Sequence, residues 1–447
     1  MNAARGTKVT SNPLGSRHLC ETHVVGMLFK PTAPPIGRTD DFAVAEHFRR
    51  FRRWTAQRVS PETACMSIQF KRSWSDPDLE QYRSTAVRFI EEQISPGDEE
   101  ARRRGHVGHD LWLRAGELGI LCSDIPAEYG GAGGDFRHEA VFYEELARRS
   151  LTGMNNSVHN IVAHYLLNHG TEDQKQRFLP RLISGELVGA IAMTEPGTGS
   201  DLRGIKTRAV RQSSGWFLQG AKTFISNGHL AGLVLVVAST TSDEGSHGKS
   251  IFLVETRDCP GFRVGRLLDK VGLKAQDTAE LFFDDVHVSD DHLLGGKPGE
   301  GMRQLMSDLP YERLVIAVMA MAAMEGAYEA TLAYVRERKA FGEPIAHFQN
   351  TRFTLAGIAT EIQVGRAFVD RCVEDLVAGR LDTATASMAK LWCSEAQGRA
   401  VDSCVQLFGG YGYMNEYLIA RMYVDARVQR IYGGTSEIMK DVISRAL

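Results

Sequence analysis

Ile191-Ala192-Met193-Thr194-Glu195-Pro196-Gly197-Thr198-Gly199-Ser200-Asp201-Leu202 is where the pattern of this chain changes. Upstream, from Asp78 to about Gly189, apolar residues recur at helical spacing, as in Leu79, Tyr82, Ala86, Phe89 and Ile90 and again in Ala140, Tyr143, Leu146 and Ala147. Tyr129 to Gly134 interrupts that run as a glycine-rich loop. Downstream, to about residue 290, short β-rich runs follow: Leu233–Val237, Ser250–Val254 and Leu281–Phe283. The segment at the junction packs an apolar strand-like start, small hydroxyl residues, a proline and two glycines into one loop. Gly197 and Gly199 carry no Cβ to block close approach, and Pro196 stiffens the turn before them. It suits the backbone approach of a large, planar or phosphorylated group. It does not fit the dinucleotide fingerprint, because Leu202 stands where a third glycine is needed, nor a phosphate loop, because no Gly-Lys-Ser/Thr follows. Read alone, it is equally an ordinary strand-to-loop corner.

Helical spacing returns from Met302, and the long run from about Pro310 to Lys339 is apolar or small around much of its circumference, as expected of a helix buried in a bundle. Helices, then strands, then helices give an α+β chain of segregated elements. The expected divisions are an N-terminal helical domain at 66–190, a middle β domain at 191–297 and a C-terminal helical domain at 298–447. Residues 1–65 differ, with Arg49, Arg50, Arg52, Arg53 and Arg58 and no clean apolar period. Acidic residues spoil a transit signature and no apolar signal core appears, so this stretch is expected to be a dispensable or non-native extension ahead of Met66.

The 447 residues allow two or three cores, and 43% apolar with 24% charged is ordinary for a soluble globular protein. A net charge of −3 argues against nucleic acid as the main partner. Apolar runs such as Leu314 to Met324 fall short of the ~20 residues that span a bilayer, so no integral membrane segment is expected. The seven cysteines show neither a CxxC pair nor a metal spacing, which fits a reducing compartment and no bound metal. Arginine in excess of lysine points to a GC-rich bacterial genome and hence cytoplasm; a mitochondrial matrix protein reads similarly.

Four motifs in order make the chain resemble an acyl-CoA dehydrogenase. They are the opening segment; Lys222-Thr223-Phe224-Ile225-Ser226-Asn227-Gly228; Arg336 to Gly342 with Gln349 following; and Gln406 to Tyr413 joined to Tyr432-Gly433-Gly434-Thr435-Ser436-Glu437. The resemblance covers about Gln69 to Leu447. It implies a curled, barrel-like middle sheet and a C-terminal four-helix bundle, with FAD between them. It also implies that Met193, Thr194, Gly199 and Ser200 line the flavin and its phosphates, Ser200 near the CoA as well. Phe224, Ile225 and Ser226 would lie beside the isoalloxazine. Arg338, Phe341, Gln349 and the run Gln406, Leu407, Phe408, Gly409 and Gly410 would grip the FAD of a neighbouring subunit, with Thr435, Ser436 and Glu437 completing the site. Arginine suits pyrophosphate because its fork of donors matches two oxygens at once. A cofactor shared between subunits implies an obligate oligomer, and the resemblance implies a homotetramer.

The implied reaction is α,β-dehydrogenation of an acyl-CoA thioester to a trans-2-enoyl-CoA, with electrons passed to electron-transferring flavoprotein. It needs a desolvated base for the α-proton and a polarised thioester carbonyl. Many relatives place a glutamate directly after the tyrosine of the last motif; here that position is Gly433, which has no side chain. The long-chain and isovaleryl branches place the base before an arginine at the start of the long helix, where this chain has Glu312 and Arg313. Glu312 is therefore the expected base, Arg313 the group that orients the loop or the CoA end, and the Gly433 N–H a surviving carbonyl donor beside Gly434. By position alone, Glu312 is a first-turn glutamate favoured by the helix dipole. Asp269 to Phe282 and Tyr423 to Met439 resemble the long-chain branch more closely. An isovaleryl-type enzyme and a flavin-binding protein without dehydrogenase activity are the alternatives.

Overall fold

The structure, a computed structural model, describes residues 70–242 and 245–447. The expectation for residues 1–65 lies outside them. Six helices come first: α1 Pro77–Phe89, α2 Asp98–Arg104, α3 His109–Glu117, α4 Phe136–Arg148, α5 Asn156–His169 and α6 Glu172–Ile183. Local chemistry sets their starts. The Asp76 carboxylate accepts from the Leu79 N–H at 2.9 Å, and Asp135 and Thr171 open α4 and α6 with reciprocal capping boxes.

Seven strands follow: β1 Gly189–Ala192, β2 Arg208–Gln212, β3 Gly215–Ser226, β4 Leu233–Ser242, β5 Gly245–Glu255, β6 Phe262–Leu267 and β7 Thr278–Val288. They form one curled sheet in the order β1-β4-β2-β3-β7-β6, with β5 on the other side of β4. β1 and β2 both run parallel to β4, pairing Gly189–Ala192 with Leu233–Val236 and Arg208–Val210 with Ser239–Thr241. β4 is thus buried on both faces, which is why Leu233–Val237 is a continuous apolar run rather than an alternating one. β1 straddles the division expected at 190/191 and packs on α5, with Gly189 against Val162. We propose the three domain limits as working boundaries only.

The third section holds α7 Gly301–Glu337, α8 Gln349–Val377, α9 Thr383–Phe408, α10 Leu418–Ala426 and α11 Ser436–Ser444, with the short strands β8 Lys339–Ala340 and β9 Glu343–Pro344 pairing after α7. α7, α8 and α9 pack on one another, and the short α10 and α11 lie against α9 to complete the bundle. α7 begins nine residues before the expected start at Pro310. The proline deletes one helical N–H bond, but Leu305 and Asp308 on the preceding turns are buried and hold the helix together across it. By length and composition α7 is apolar enough to cross a membrane, contrary to the short run read from the sequence, yet 83% of its apolar window is buried inside this fold. The five described cysteines, at 122, 259, 372, 393 and 404, are free.

Candidate active site

Glu312 lies well inside α7, not in its first turn, so the dipole explanation of this residue lapses. Its carboxylate is 7% exposed and accepts one side-chain hydrogen bond, from the Tyr165 hydroxyl of α5 at 2.9 Å. One turn earlier Asp308 meets His169, also of α5, at 2.6 Å. The pairs Tyr165/His169 and Glu312/Asp308 are both spaced at i, i+4, so two facing helices present matching rungs. Burial raises the Glu312 pKa to about 7, and Asp308 adds repulsion against the opposing effects of Tyr165 and Arg313. The result is a carboxylate held near the pH at which a general base works best.

Gly433 sits against the same face of α7. A Cβ at this position would fall 2.3 Å from Ile316 Cδ1, and its φ of +62° is left-handed. Ile316 is one helical turn beyond Glu312. A side chain at 433 is thus excluded twice, by backbone conformation and by a filled volume, close to where Glu312 projects. Gly434, at φ +96°, continues the turn, and the Thr435 hydroxyl caps α11 by accepting from the Ile438 N–H. The Ser436 hydroxyl behind it is buried without a partner, and Glu437 is exposed. Arg313 is 3% exposed; instead of facing a loop, it turns into the bundle and donates to Ser387 Oγ on α9 at 2.9 Å.

The loop after β1 is held from behind. The Glu195 carboxylate accepts from the Lys206 and Thr207 N–H groups at 2.7 and 2.8 Å and from Lys222 Nζ at 2.9 Å. Lys222, buried in β3, also donates to the Met193 carbonyl, while the Thr223 N–H donates to the Thr194 carbonyl. Gly199 and Ser200 are exposed at the tip. Gly197 and Gly199 lack left-handed φ, and a Cβ on either would meet no described atom within 4 Å. Nothing in the described chain requires glycine at either position. Phe224 is 67% exposed at a φ of +59°, a strained conformation for an aromatic residue that keeps its ring outside the sheet. Ser226 accepts from Gln276 Nε2 at 2.9 Å. The Ile225 side chain is buried in the sheet core, leaving only its main chain to a cofactor.

A separate cleft of about 520 Å³ is lined by Arg338, Gln406, Leu407, Phe408, Gly409 and Gly410. Phe408 stacks on Tyr334 with ring centroids 4.0 Å apart, and the Arg338 guanidinium lies over Tyr411. Phe341 and Gln349 are exposed on the segment that follows α7. Among the described residues, no hydrogen bond or ring contact joins Arg338, Gln349 or Gln406–Gly410 to Met193, Thr194, Phe224 or Ser226.

Sequence reasoning missed Tyr165, Asp308, His169, Ile316 and the Glu195–Lys222 pair. Only the last had a signal: a carboxylate in the first motif and a lysine opening the second. A further buried cluster, Asp124, Glu139 and His164, brings three ligand atoms within 4.8 Å of one another near Tyr311. Burial and the Asp124 charge raise Glu139 to about 8; burial opposes protonation of His164, but Asp124 outweighs it and holds the imidazole at about 9.

Family models described as acyl-CoA dehydrogenase N-terminal, middle and C-terminal domains match residues 76–186, 190–286 and 299–447. The long-chain specific acyl-CoA dehydrogenase of Rattus norvegicus mitochondria is 49% identical over 369 residues, 82% of this chain and 85% of that protein. An acyl-CoA dehydrogenase structure from Geobacillus kaustophilus superposes with a TM-score of 0.80 at 43% identity, covering 84% of this chain and 99% of the other. A Mycobacterium smegmatis glutaryl-CoA dehydrogenase in complex with FADH2 superposes with a TM-score of 0.77 at 29% identity, over 83% and 95% of the two chains.

Proposed function

The chain belongs to the acyl-CoA dehydrogenase family of flavoprotein oxidoreductases, and we propose that within it the protein dehydrogenates long-chain or branched acyl-CoA thioesters with Glu312 as the base. The observation that carries this reading is the pairing of Glu312 with Gly433. An acid with its pKa near 7 projects one turn from the residue that fills the space a side chain at 433 would need.

FAD fits the residues present. Met193, Thr194, Gly199, Ser200, Phe224, Ser226 and the Ile225 main chain would hold one part of it. Arg338, Phe341, Gln349 and Gln406–Gly410 would hold FAD from a second subunit, with Thr435, Ser436 and Glu437 closing the site. The open space over Gly197 and Gly199, the outward Phe224 ring and the orphaned Ser436 hydroxyl support that assignment. The open cleft lined by Arg338 and Gln406–Gly410 supports sharing across subunits, and a homotetramer is the assembly we propose. When bound, FAD would supply the two-electron acceptor for the β-hydride.

The chain's own residues do the rest. Glu312, ionised, takes the α-proton as the α-C–H bond breaks and its electron pair moves toward the thioester carbonyl. The Gly433 N–H donates to that carbonyl oxygen as charge develops on it. Tyr165 holds the Glu312 carboxylate in position, and Ile316 keeps the adjacent volume free of water. Electron-transferring flavoprotein is the proposed acceptor in a bacterial cytoplasm or mitochondrial matrix.

The test is anaerobic addition of acyl-CoA thioesters from isovaleryl to palmitoyl, following loss of the yellow colour. Bleaching that is fastest with long chains and reversed by electron-transferring flavoprotein fits the proposal. Fastest bleaching by isovaleryl-CoA transfers the protein to the isovaleryl type. Rapid reoxidation by air alone makes it an oxidase, and no bleaching by any member abolishes the catalytic reading.

A further inference from the structure

Two cations are buried behind the Gly433–Gly434 turn with no carboxylate at ion-pair distance among the described residues. Lys390, on α9, has no exposed surface, and its Nζ donates to the Gly434 carbonyl at 2.6 Å. Arg313 reaches Ser387, three residues earlier on the same helix, while its Nε is buried with no partner at all. The charged groups bearing on Lys390 are Arg313 from α7, Glu395 from its own helix and Glu437 from α11. Burial, and after it the Arg313 charge, lower the lysine to about 8 against the opposing pull of Glu395 and Glu437. A buried ammonium without a counter-ion is a poor stabilising device, since an apolar side chain of equal length packs at lower desolvation cost. Its place is better explained by what it holds. Both residues of the turn have left-handed φ; the Gly434 carbonyl lies on the peptide that follows the turn and the Gly433 N–H on the peptide that precedes it, so the lysine fixes the far end of a two-glycine turn whose near end carries that N–H.

We propose that Lys390 is a positioning residue for α-proton removal: its ammonium anchors the Gly434 carbonyl and so aims the Gly433 N–H at the thioester oxygen. The inference rests on the function proposed above. As the α-C–H bond breaks, the proton passes to Glu312 and the electron pair comes to rest on the thioester oxygen. Lys390 then holds the far end of the turn whose Gly433 N–H faces this new negative charge. The net stabilisation is of the deprotonated thioester, with little effect on binding of the neutral one.

The probe is an acyl-CoA in which sulfur replaces the β-methylene. Its α-proton is acidified and it has no β-hydride to give, so its ionisation on the flavin-loaded enzyme is read from a long-wavelength absorbance band rather than from turnover. In Lys390→Met, half-ionisation of the bound probe is expected at least one pH unit higher than in wild type, with less than a threefold change in its dissociation constant. Lys390→Gln, which keeps a neutral donor, is expected to fall between them. It carries the test if the methionine variant does not fold. Ionisation at the wild-type pH in a folded, flavin-loaded variant overturns the role of Lys390 and leaves the proposed function standing. Failure of the wild-type enzyme to ionise the probe at any pH overturns both.

Discussion

Two buried carboxylates on α7 live in opposite electrostatic surroundings. Glu325 shares a network with Glu144 of α4: the Arg366 guanidinium donates to Glu325 at 2.5 and 2.9 Å and to Glu144 at 2.6 Å, Arg72 reaches both glutamates, and Arg148 pairs with Glu325. Although burial opposes ionisation of Glu144, Arg366, Arg72, Arg83 and Arg148 together hold its pKa near 2. Glu312, thirteen residues before Glu325, has one hydroxyl donor, and its nearest cation faces another helix. Burial alone does not decide what a buried glutamate does; the number of donors around it does. The first region fastens helices of the N-terminal section to the bundle. The second leaves a carboxylate free to take up a proton.

The largest break in that contrast is Glu312→Gln. Turnover should fall by about 10³-fold, in the range expected for loss of a general base, while the flavin spectrum stays. Near wild-type turnover in that variant would remove Glu312 from the mechanism. At the other pole, Arg366→Met strands two buried carboxylates and should cost about 3–5 kcal/mol of stability. A thermal midpoint within a degree or two of wild type would show that the remaining arginines suffice.

Acid and alkali should act on the two regions with opposite sign. Because the folded-state pKa of Glu312 is raised to about 7 above its ordinary 4.5, its contribution to stability is intact below pH 4.5 and is lost as pH rises through 7. Glu312→Gln should therefore be more stable than wild type above pH 7, by up to about 3 kcal/mol, and no more stable below pH 4.5. The Glu144 pKa is depressed, so its contribution is present above pH 4.5 and is lost as pH falls toward 2. Denaturant titrations of both proteins across this range check the two signs, and equal stability of the variant and wild type at pH 8 would show that Glu312 carries no such burden. For the same reason kcat/KM should rise through pH 7 as the base ionises. The smallest effect expected is in Tyr165→Phe. Loss of a hydrogen bond to the charged form should move that kinetic pKa upward by about one unit, and an unmoved profile would mean that Tyr165 does not support the base.

Much of this was legible beforehand. Helical and β periods separated the three sections, and the runs at Leu233–Val237, Ser250–Val254 and Leu281–Phe283 fall in β4, β5 and β7. Ordered motifs singled out the residues around Met193, Phe224, Arg338 and Gly433, which we propose as the cofactor site, because turns and loops carry their own local chemistry in sequence. Tyr165 and Lys390 were invisible for the opposite reason. Each sits in a regular helix whose spacing announces only packing, and its partner is 147 residues away in one case and 44 in the other. The start of α7 was misread because a proline was taken for a first-turn residue, when tertiary burial carries the helix through it. Arg313 was expected to orient the loop or the CoA end, and its guanidinium instead reaches Ser387 inside the bundle, since adjacent helical residues diverge by about 100°.

Pro310 also divides α7 mechanically. With no N–H to give, it deprives the Met306 carbonyl of its usual helical donor, and Met306 is half-exposed to solvent. The helix consequently has a seam one to two turns from Glu312, between a short leading arm, residues 301–309, and a long rod sealed in the bundle. In deuterium the amides of that arm should exchange well ahead of those at 314–324, marking a region that opens without unfolding the rest.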